Sequence, residues 1–92
     1  VVNIGDIAQV LSNDRYHAAL HRVRASSTSK RYSVPFFFNP SYRASYQPLS
    51  SVTETGQGPL YSAINWGDFR ASRAAGDYAD IGEEIQISDF RL

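Results

Sequence analysis

The sequence predicts a mainly β domain with short helices, and three observations carry that prediction. Residues 15–24 (RYHAALHRVR) and 31–38 (RYSVPFFF) hold the aromatic and β-branched side chains that favour strands. The six residues between them, ASSTSK, are a polar connection of hairpin length. Helix signals are confined to two runs, IAQVL at 7–11 and INWGDFRASRAAGDY at 64–78.

The elements follow in order. Val1 to Ile4 is β-prone and is broken at Gly5-Asp6. Asp6 with Gln9 three residues on has capping-box spacing, so Asp6 is expected to cap a short helix. Five residues make a marginal helix, stable only if Ile7, Val10 and Leu11 pack against something. Ser12-Asn13-Asp14 is a turn of residues that tolerate the left-handed region. HAAL within 15–24 would suit a helix, but Tyr16 and Val23 favour a strand, and the strand reading is taken. Pro35 lacks an amide proton, so 31–38 is expected at an edge or a bulge. The two segments are expected to form an antiparallel hairpin. A short strand is expected near Ala44 to Gln47, and SSVTETGQGPL reads as a loop. Asn65 is positioned to cap the second helix, with Trp66, Phe69 and Arg73 on one face and Gly76 as its stop. Asp77, Asp80, Glu83 and Glu84 read as a solvated face.

Composition narrows the function classes. The chain has 92 residues, enough for one small domain with a limited core. Hydrophobic residues at 42% and charged residues at 20% fit a folded protein rather than a disordered one. Nine basic residues balance nine acidic ones, so no net field invites nucleic acid or an acidic membrane. There is no cysteine, hence no disulfide, thiolate metal site or cysteine nucleophile. No apolar run approaches the roughly 20 residues of a membrane span. A cytoplasmic setting is the expectation, with neither nucleic acid nor membrane as partner.

In strands, side chains alternate between faces. His17, Ala19, His21 and Val23 then share one face, and Arg31, Ser33, Pro35 and Phe37 share one face of the next segment. If those faces coincide, His21 looks into the same space as Arg31 and Ser33. An imidazole can ligate a divalent metal. A guanidinium offers a fork for a carboxylate, and Ser33 adds a hydroxyl donor. Phe37 supplies a dry wall. The plainer alternatives are a packed or surface histidine and an arginine in an ordinary ion pair. His17 and His21 would be an i, i+4 pair on a helix, but lie about 13 Å apart on a strand and cannot share a metal there.

Read in order, NIGD, QVLSN, RY, HRV and RYSVPFFFNPS, with a looser QPL and WGDFR later, resemble one family. The chain looks like the C-terminal half of the iron- and 2-oxoglutarate-dependent dioxygenases, in the branch of isopenicillin N synthase and plant flavonoid oxygenases. The resemblance implies part of a double-stranded β-helix, or jelly roll. Residues 1–64 would be its C-terminal strands, and 65–92 a helix and tail packed on the barrel. It implies Fe(II) and 2-oxoglutarate as cofactors and O₂ as cosubstrate. His21 would be the distal histidine of a 2-His-1-carboxylate triad. Arg31 and Ser33 would hold the far carboxylate of 2-oxoglutarate, and Phe37 would line its pocket. The implied reaction oxidises a substrate C–H bond, usually to a hydroxyl, with release of succinate and CO₂.

Two positions depart from the family pattern: Asp14 stands where glycine is usual, and His17 where lysine is usual. The family's first histidine and aspartate, an HxD pair, are expected upstream of this segment. A chain without them is expected to expose an apolar face, and so to self-associate or to need the missing N-terminal part. Two other readings remain open. One is an oxidase of the same fold that does not use 2-oxoglutarate, since isopenicillin N synthase keeps an RxS motif for its substrate's own carboxylate. The other is a non-catalytic β-module that binds a partner.

Overall fold

The computed structural model describes residues 1–54, 56–79 and 84–92. Helix α1 runs Asp6–Leu11 and puts Val10 wholly out of solvent, with Ile7 and Leu11 packed beside it. This is the packing that the spacing of the three residues requires. Asp6 is not the cap: Gly5 holds that position, and its carbonyl accepts from the Ala8 and Gln9 amides at 3.1 and 3.3 Å. Asp6 is instead drawn to Arg73, as described below.

The end of α1 is the tightest local structure in the chain. The Asn13 amide donates to the Val10 carbonyl at 3.0 Å, and the Asp14 amide to the Gln9 carbonyl at 3.1 Å. That pair of bonds is the Schellman arrangement, with Asn13 in the left-handed position usually given to glycine. Asn13 has φ 53° and Asp14 φ 66°. The buried Asn13 amide then reaches across the fold. Its Nδ2 donates to the Gly58 carbonyl at 3.3 Å, and its Oδ1 accepts from the Leu60 amide at 2.8 Å.

Strands β1 (Ser45–Tyr46) and β2 (Ile64–Asn65) pair antiparallel, Ser45 opposite Asn65. The expected strand near Ala44 to Gln47 is therefore present, though short. Between β1 and β2, where a loop was expected, lies one short helix, α2 (Ser50–Thr53). Helix α3 (Trp66–Ala79) starts as the sequence indicates, with Asn65 Oδ1 accepting from the Asp68 amide at 3.1 Å. The Gly67 amide donates to the Tyr42 carbonyl at 3.1 Å. A Cβ on Gly67 would lie 2.6 Å from that same oxygen, so only glycine allows this approach. Gly76 does not stop the helix, which continues to Ala79; the returning chain at Glu84 packs 3.5 Å from where a Gly76 Cβ would stand. A 3₁₀ turn at Ile87–Phe90 follows.

The core is Val10, Tyr46, Tyr61, Ile64 and Phe69. Phe90 meets the Phe69 ring edge-on at 6.0 Å. Arg73 lies over the other part of this cluster, 5.3 Å from the Phe69 ring centre. It donates to Asp6 and Glu84 at 2.6 Å each and to Gln86 at 2.9 Å. Glu84 is exposed, as expected, and is also an ion-pair partner of Arg73; Asp80, Glu83 and the Asp77 side chain lie outside the described residues. The C-terminus closes on Tyr61, with the Ser62 amide on the Phe90 carbonyl at 2.9 Å and the Leu92 amide on Leu60 at 3.0 Å.

The mainly β expectation is not met among the described residues. Val1 to Ile4, 17–24 and 31–38 form no strand, so the hairpin is absent. A two-stranded hairpin is marginal in water and needs one face buried. Here neither face is: Leu20, Val34 and Phe36 to Phe38 all stand in solvent, Phe36 at 86%, Phe37 at 73% and Phe38 at 94% exposure. Pro35 also withholds one ladder donor. The connection closes on itself instead, with Ser26 Oγ accepting from the Thr28 and Ser29 amides at 3.4 and 3.3 Å. The size of the exposed part is measurable. The chain exposes 7666 Å², against about 5,300 Å² for a compact protein of this mass. Its radius of gyration is 15.9 Å, against about 12 Å for a compact chain of this length. Residues 19–39, all exposed, are an arm on a small packed body, tied down at Ala18 and at Tyr42.

Two substitutions test this body. Asn13→Ala removes both cross-fold hydrogen bonds, leaves the part-buried Leu60 amide without its acceptor and puts alanine in a left-handed turn, and should cost about 2–4 kcal/mol in chemical denaturation. Asn13→Gly should recover about 1 kcal/mol of that loss, because it restores only the backbone freedom. Tyr46 Oη is buried without a hydrogen-bond partner. Burial, helped by the Asp6 charge and partly offset by Arg73, pushes Tyr46 up to about 12. Stability tied to the neutral phenol is complete below pH 10 and is lost as pH rises toward 12. Tyr46→Phe should be neutral or stabilising at neutral pH and should remove that alkaline loss, read as thermal midpoints across the range.

Candidate functional site

The four residues singled out by the sequence all lie on the arm, and all are exposed. His21 turns its Nδ1 to the Ala19 carbonyl at 2.8 Å. A carbonyl oxygen only accepts, so Nδ1 is the donor, and in the neutral ring Nε2 then keeps its lone pair. An imidazole held in this way is set to ligate through Nε2. Arg31 donates from Nη2 to the Arg24 carbonyl at 2.7 Å, which ties the RxS segment to the histidine segment. The remaining guanidinium donors and the Ser33 hydroxyl face solvent. No hydrogen bond or ion pair among the described residues joins His21 to Arg31, Ser33 or Phe37. The face-sharing expected of two paired strands is therefore not formed here, because the ladder that would align the faces is not formed.

Among the described residues no three His, Asp or Glu side chains converge as a metal site. The donor set fits one part of such a site: one imidazole with a free Nε2, one guanidinium fork and one hydroxyl. By their chemistry these are one candidate metal ligand and the donors of a candidate carboxylate clamp, not joined to each other here. A shallow groove of about 320 Å³ lies elsewhere, between Gln47, Pro48, Pro59, Tyr61 and Leu92, and none of the four residues lines it.

Two features were not anticipated. The first is charge placement. Residues 15–43 contain six of the nine basic residues and none of the nine acidic ones, so a net charge of zero hides a cationic arm on an anionic body. The second is the anchoring of that arm. Gln9, Asp14, Tyr61 and Arg91 form one polar cluster at its root. Tyr61 Oη donates to Asp14 at 2.6 Å, Gln9 Nε2 donates to Asp14 at 3.0 Å, and Arg91 pairs with the same carboxylate. Arg91 also lies 4.8 Å from the centre of the Tyr61 ring. Burial pushes the Asp14 carboxyl upward, but the hydrogen bonds from Tyr61, Arg91 and Gln9, with the Arg91 charge, outweigh it and hold the carboxyl below its ordinary 3.8. Burial, with the bond to Asp14, pushes the Tyr61 phenol up.

Residues 1–40 match the 2OG-Fe(II) oxygenase superfamily. The matched stretch includes His21, Arg31, Ser33 and Phe37. The relatives are more particular. A bi-functional coumaroyl CoA and feruloyl CoA ortho-hydroxylase of Ipomoea batatas is 42% identical over 69 residues, 75% of this chain and 19% of that protein. A feruloyl CoA ortho-hydroxylase of Arabidopsis thaliana is 42% identical over 69 residues, again 75% and 19%. A 1-aminocyclopropane-1-carboxylate oxidase of Arabidopsis thaliana is 42% identical over 69 residues, 75% of this chain and 22% of that protein. The chain spans about a fifth of the length of the curated relatives it matches. No helix among the described residues is long and apolar enough to cross a membrane.

The Asp14 cluster has a pH signature. A lowered folded value means that its stabilisation is complete above the ordinary carboxylate range and is lost as pH falls through the lower folded value. Denaturant midpoints should therefore fall on acidification below about pH 4, and Asp14→Asn should be less stable at neutral pH but show a flatter acid limb.

Proposed function

We propose that this chain is the C-terminal part of a non-haem Fe(II)- and 2-oxoglutarate-dependent dioxygenase that hydroxylates a small organic molecule. The observation that carries the reading is the superfamily match over residues 1–40, which contains an intact His21 and an intact Arg31-x-Ser33. In this reading the remaining metal ligands and the rest of a jelly roll come from outside these 92 residues, and residues 1–64 and 65–92 are its C-terminal strands and its helix with tail. The cytoplasmic setting belongs to the same proposal.

His21 Nε2 holds the metal while the Ala19 carbonyl holds the proton on Nδ1. Arg31 binds the far carboxylate of 2-oxoglutarate through its guanidinium fork, and Ser33 donates its hydroxyl to the same group. Phe37 keeps water from that contact, which strengthens it. The cationic arm draws the dianionic cosubstrate toward the clamp. Fe(II), when bound, supplies the activation of O₂ that couples conversion of 2-oxoglutarate to succinate and CO₂ with insertion of oxygen into a substrate C–H bond. The relatives named as hydroxylases of coumaroyl and feruloyl CoA support a small-molecule substrate.

A second reading has its own support. The relative named as an oxidase is as similar as the hydroxylases, at 42% identity. An oxidase of the same fold that does not use 2-oxoglutarate would use Arg31 and Ser33 for a carboxylate on its own substrate. The exposed Phe36 to Phe38 run favours a third role for the chain by itself, as a β-module that binds a partner.

Arg31→Ala in the oxygenase that carries this segment should abolish 2-oxoglutarate turnover, measured as succinate released, while Arg31→Lys keeps a small part of it. Unchanged turnover in Arg31→Ala would remove Arg31 as the clamp. Product formed without succinate would favour the oxidase. The 92-residue chain alone should self-associate, giving a sedimentation coefficient that rises with concentration. Phe36→Ser with Phe38→Ser should reduce that rise.

A further inference from the structure

The Gln9 side chain takes no part in capping α1. Its amide makes three hydrogen bonds in three directions. Nε2 donates to Asp14 Oδ1 at 3.0 Å and to Tyr61 Oη at 3.3 Å, and Oε1 accepts from the Ala18 backbone amide at 2.8 Å. The orientation is forced. An ionised carboxylate only accepts, so the amide end facing Asp14 must be the NH₂. Tyr61 gives its own proton to Asp14 at 2.6 Å, so its oxygen is left to accept from Gln9. Oε1 must then face Ala18, whose amide can only donate.

Ala18 is the root of the histidine segment. The Ala19 carbonyl, separated from the Ala18 amide by the Ala18–Ala19 peptide, accepts the His21 Nδ1 proton at 2.8 Å. A continuous path therefore runs from the Asp14 carboxylate through the Gln9 amide to the Ala18 peptide, then to the Ala19 carbonyl and the His21 ring. Beyond Ala18 the arm is open to solvent. Ser12 adds one bond just before it, accepting the Tyr16 amide at 3.1 Å.

We propose that Gln9 is a positioning residue for His21: its amide pins the Ala18 peptide, and with it the Ala19 carbonyl that holds the imidazole with Nε2 free. The proposal rests on the reading of His21 as a metal ligand for its functional meaning, but the positioning itself can be observed without metal. Gln9→Met keeps the volume and helical preference of the side chain and removes all three bonds.

The first measurement is the pair of His21 ring-nitrogen chemical shifts by NMR in the 92-residue chain, at a pH where the ring is neutral. The unsubstituted chain should show the Nδ1–H tautomer. Gln9→Met should move His21 toward the Nε2–H form that imidazole favours in water, and should speed hydrogen exchange at the Ala18 amide. Ile87→Ala is the control, because Ile87 packs on the core from the C-terminal tail and makes no part of the Gln9 contacts. It should leave the tautomer in place. An equal shift in Ile87→Ala, or no shift in Gln9→Met, overturns the proposal. The second measurement is Fe(II) affinity in the oxygenase containing this segment. Gln9→Met should weaken it about 10–100-fold, as expected when the partner that orients a ligating histidine is lost. His21→Ala should weaken it further. Affinity untouched by His21→Ala, with the tautomer shift of Gln9→Met still present, would remove His21 as a ligand and leave Gln9 as the residue that sets its ring.

Discussion

The left-handed turn at Asn13 and Asp14 is the constraint on which the rest of this structure depends. It ends α1 after six residues and reverses the chain. It also presents two polar side chains to segments far along the sequence. Asn13 is joined to Gly58 and Leu60, and Asp14 to Tyr61 and Arg91. Without it, α1 would have no reason to pack on β1, and the C-terminus would have no anchor near Tyr61. A helix as short as α1 cannot stand by itself in water. It persists because the turn delivers Val10 to a core that Tyr46, Ile64 and Phe69 complete. Arg73 holds the opposite end of the same helix through Asp6.

Body and arm obey different physics. The body buries aromatic rings and pairs its charges: Arg73 with Asp6 and Glu84, Arg91 with Asp14. The arm contains no acidic residue and leaves its phenylalanines in water. Every element expected as a strand on the arm has the composition of a strand, but composition alone does not bury a face. A ladder in this region needs neighbouring sheet. The residues with chemistry to offer are accordingly held by local contacts, His21 by Ala19 and Arg31 by Arg24.

Local features of the fold were legible in the sequence because their causes are local. The spacing of Ile7, Val10 and Leu11 indicates the buried side of α1, Asn65 its role ahead of α3, and Asn13-Asp14 the left-handed turn. The strand at Ser45 and Tyr46 was legible as well. Gly76 misled because the tail comes back to cover it, and α2 escaped notice because it has no capping side chain. Of the candidate site, residue identities were readable from the ordered motifs, whereas their mutual placement was not. Placement was inferred from face alternation, which has meaning only inside a formed sheet. The Gln9 cluster could not have been read at all: its bonded pairs lie up to 77 residues apart, and nothing in their spacing marks them. The segregation of charge was present in the sequence but cancelled when charges were summed over the whole chain.

Asp14 stands where the resemblance leads one to expect glycine, and this has a historical consequence. Glycine at such a turn is chosen for backbone freedom and binds nothing. Aspartate gives up that freedom and takes on Tyr61, Gln9 and Arg91 as partners. Position 14 can then no longer change independently of those three. Restoring glycine would ease the backbone while leaving a guanidinium and a phenol without their acceptor, and replacing Arg91 would leave a carboxylate without its counter-charge. The residue tolerated at position 14 therefore depends on what residues 9, 61 and 91 are.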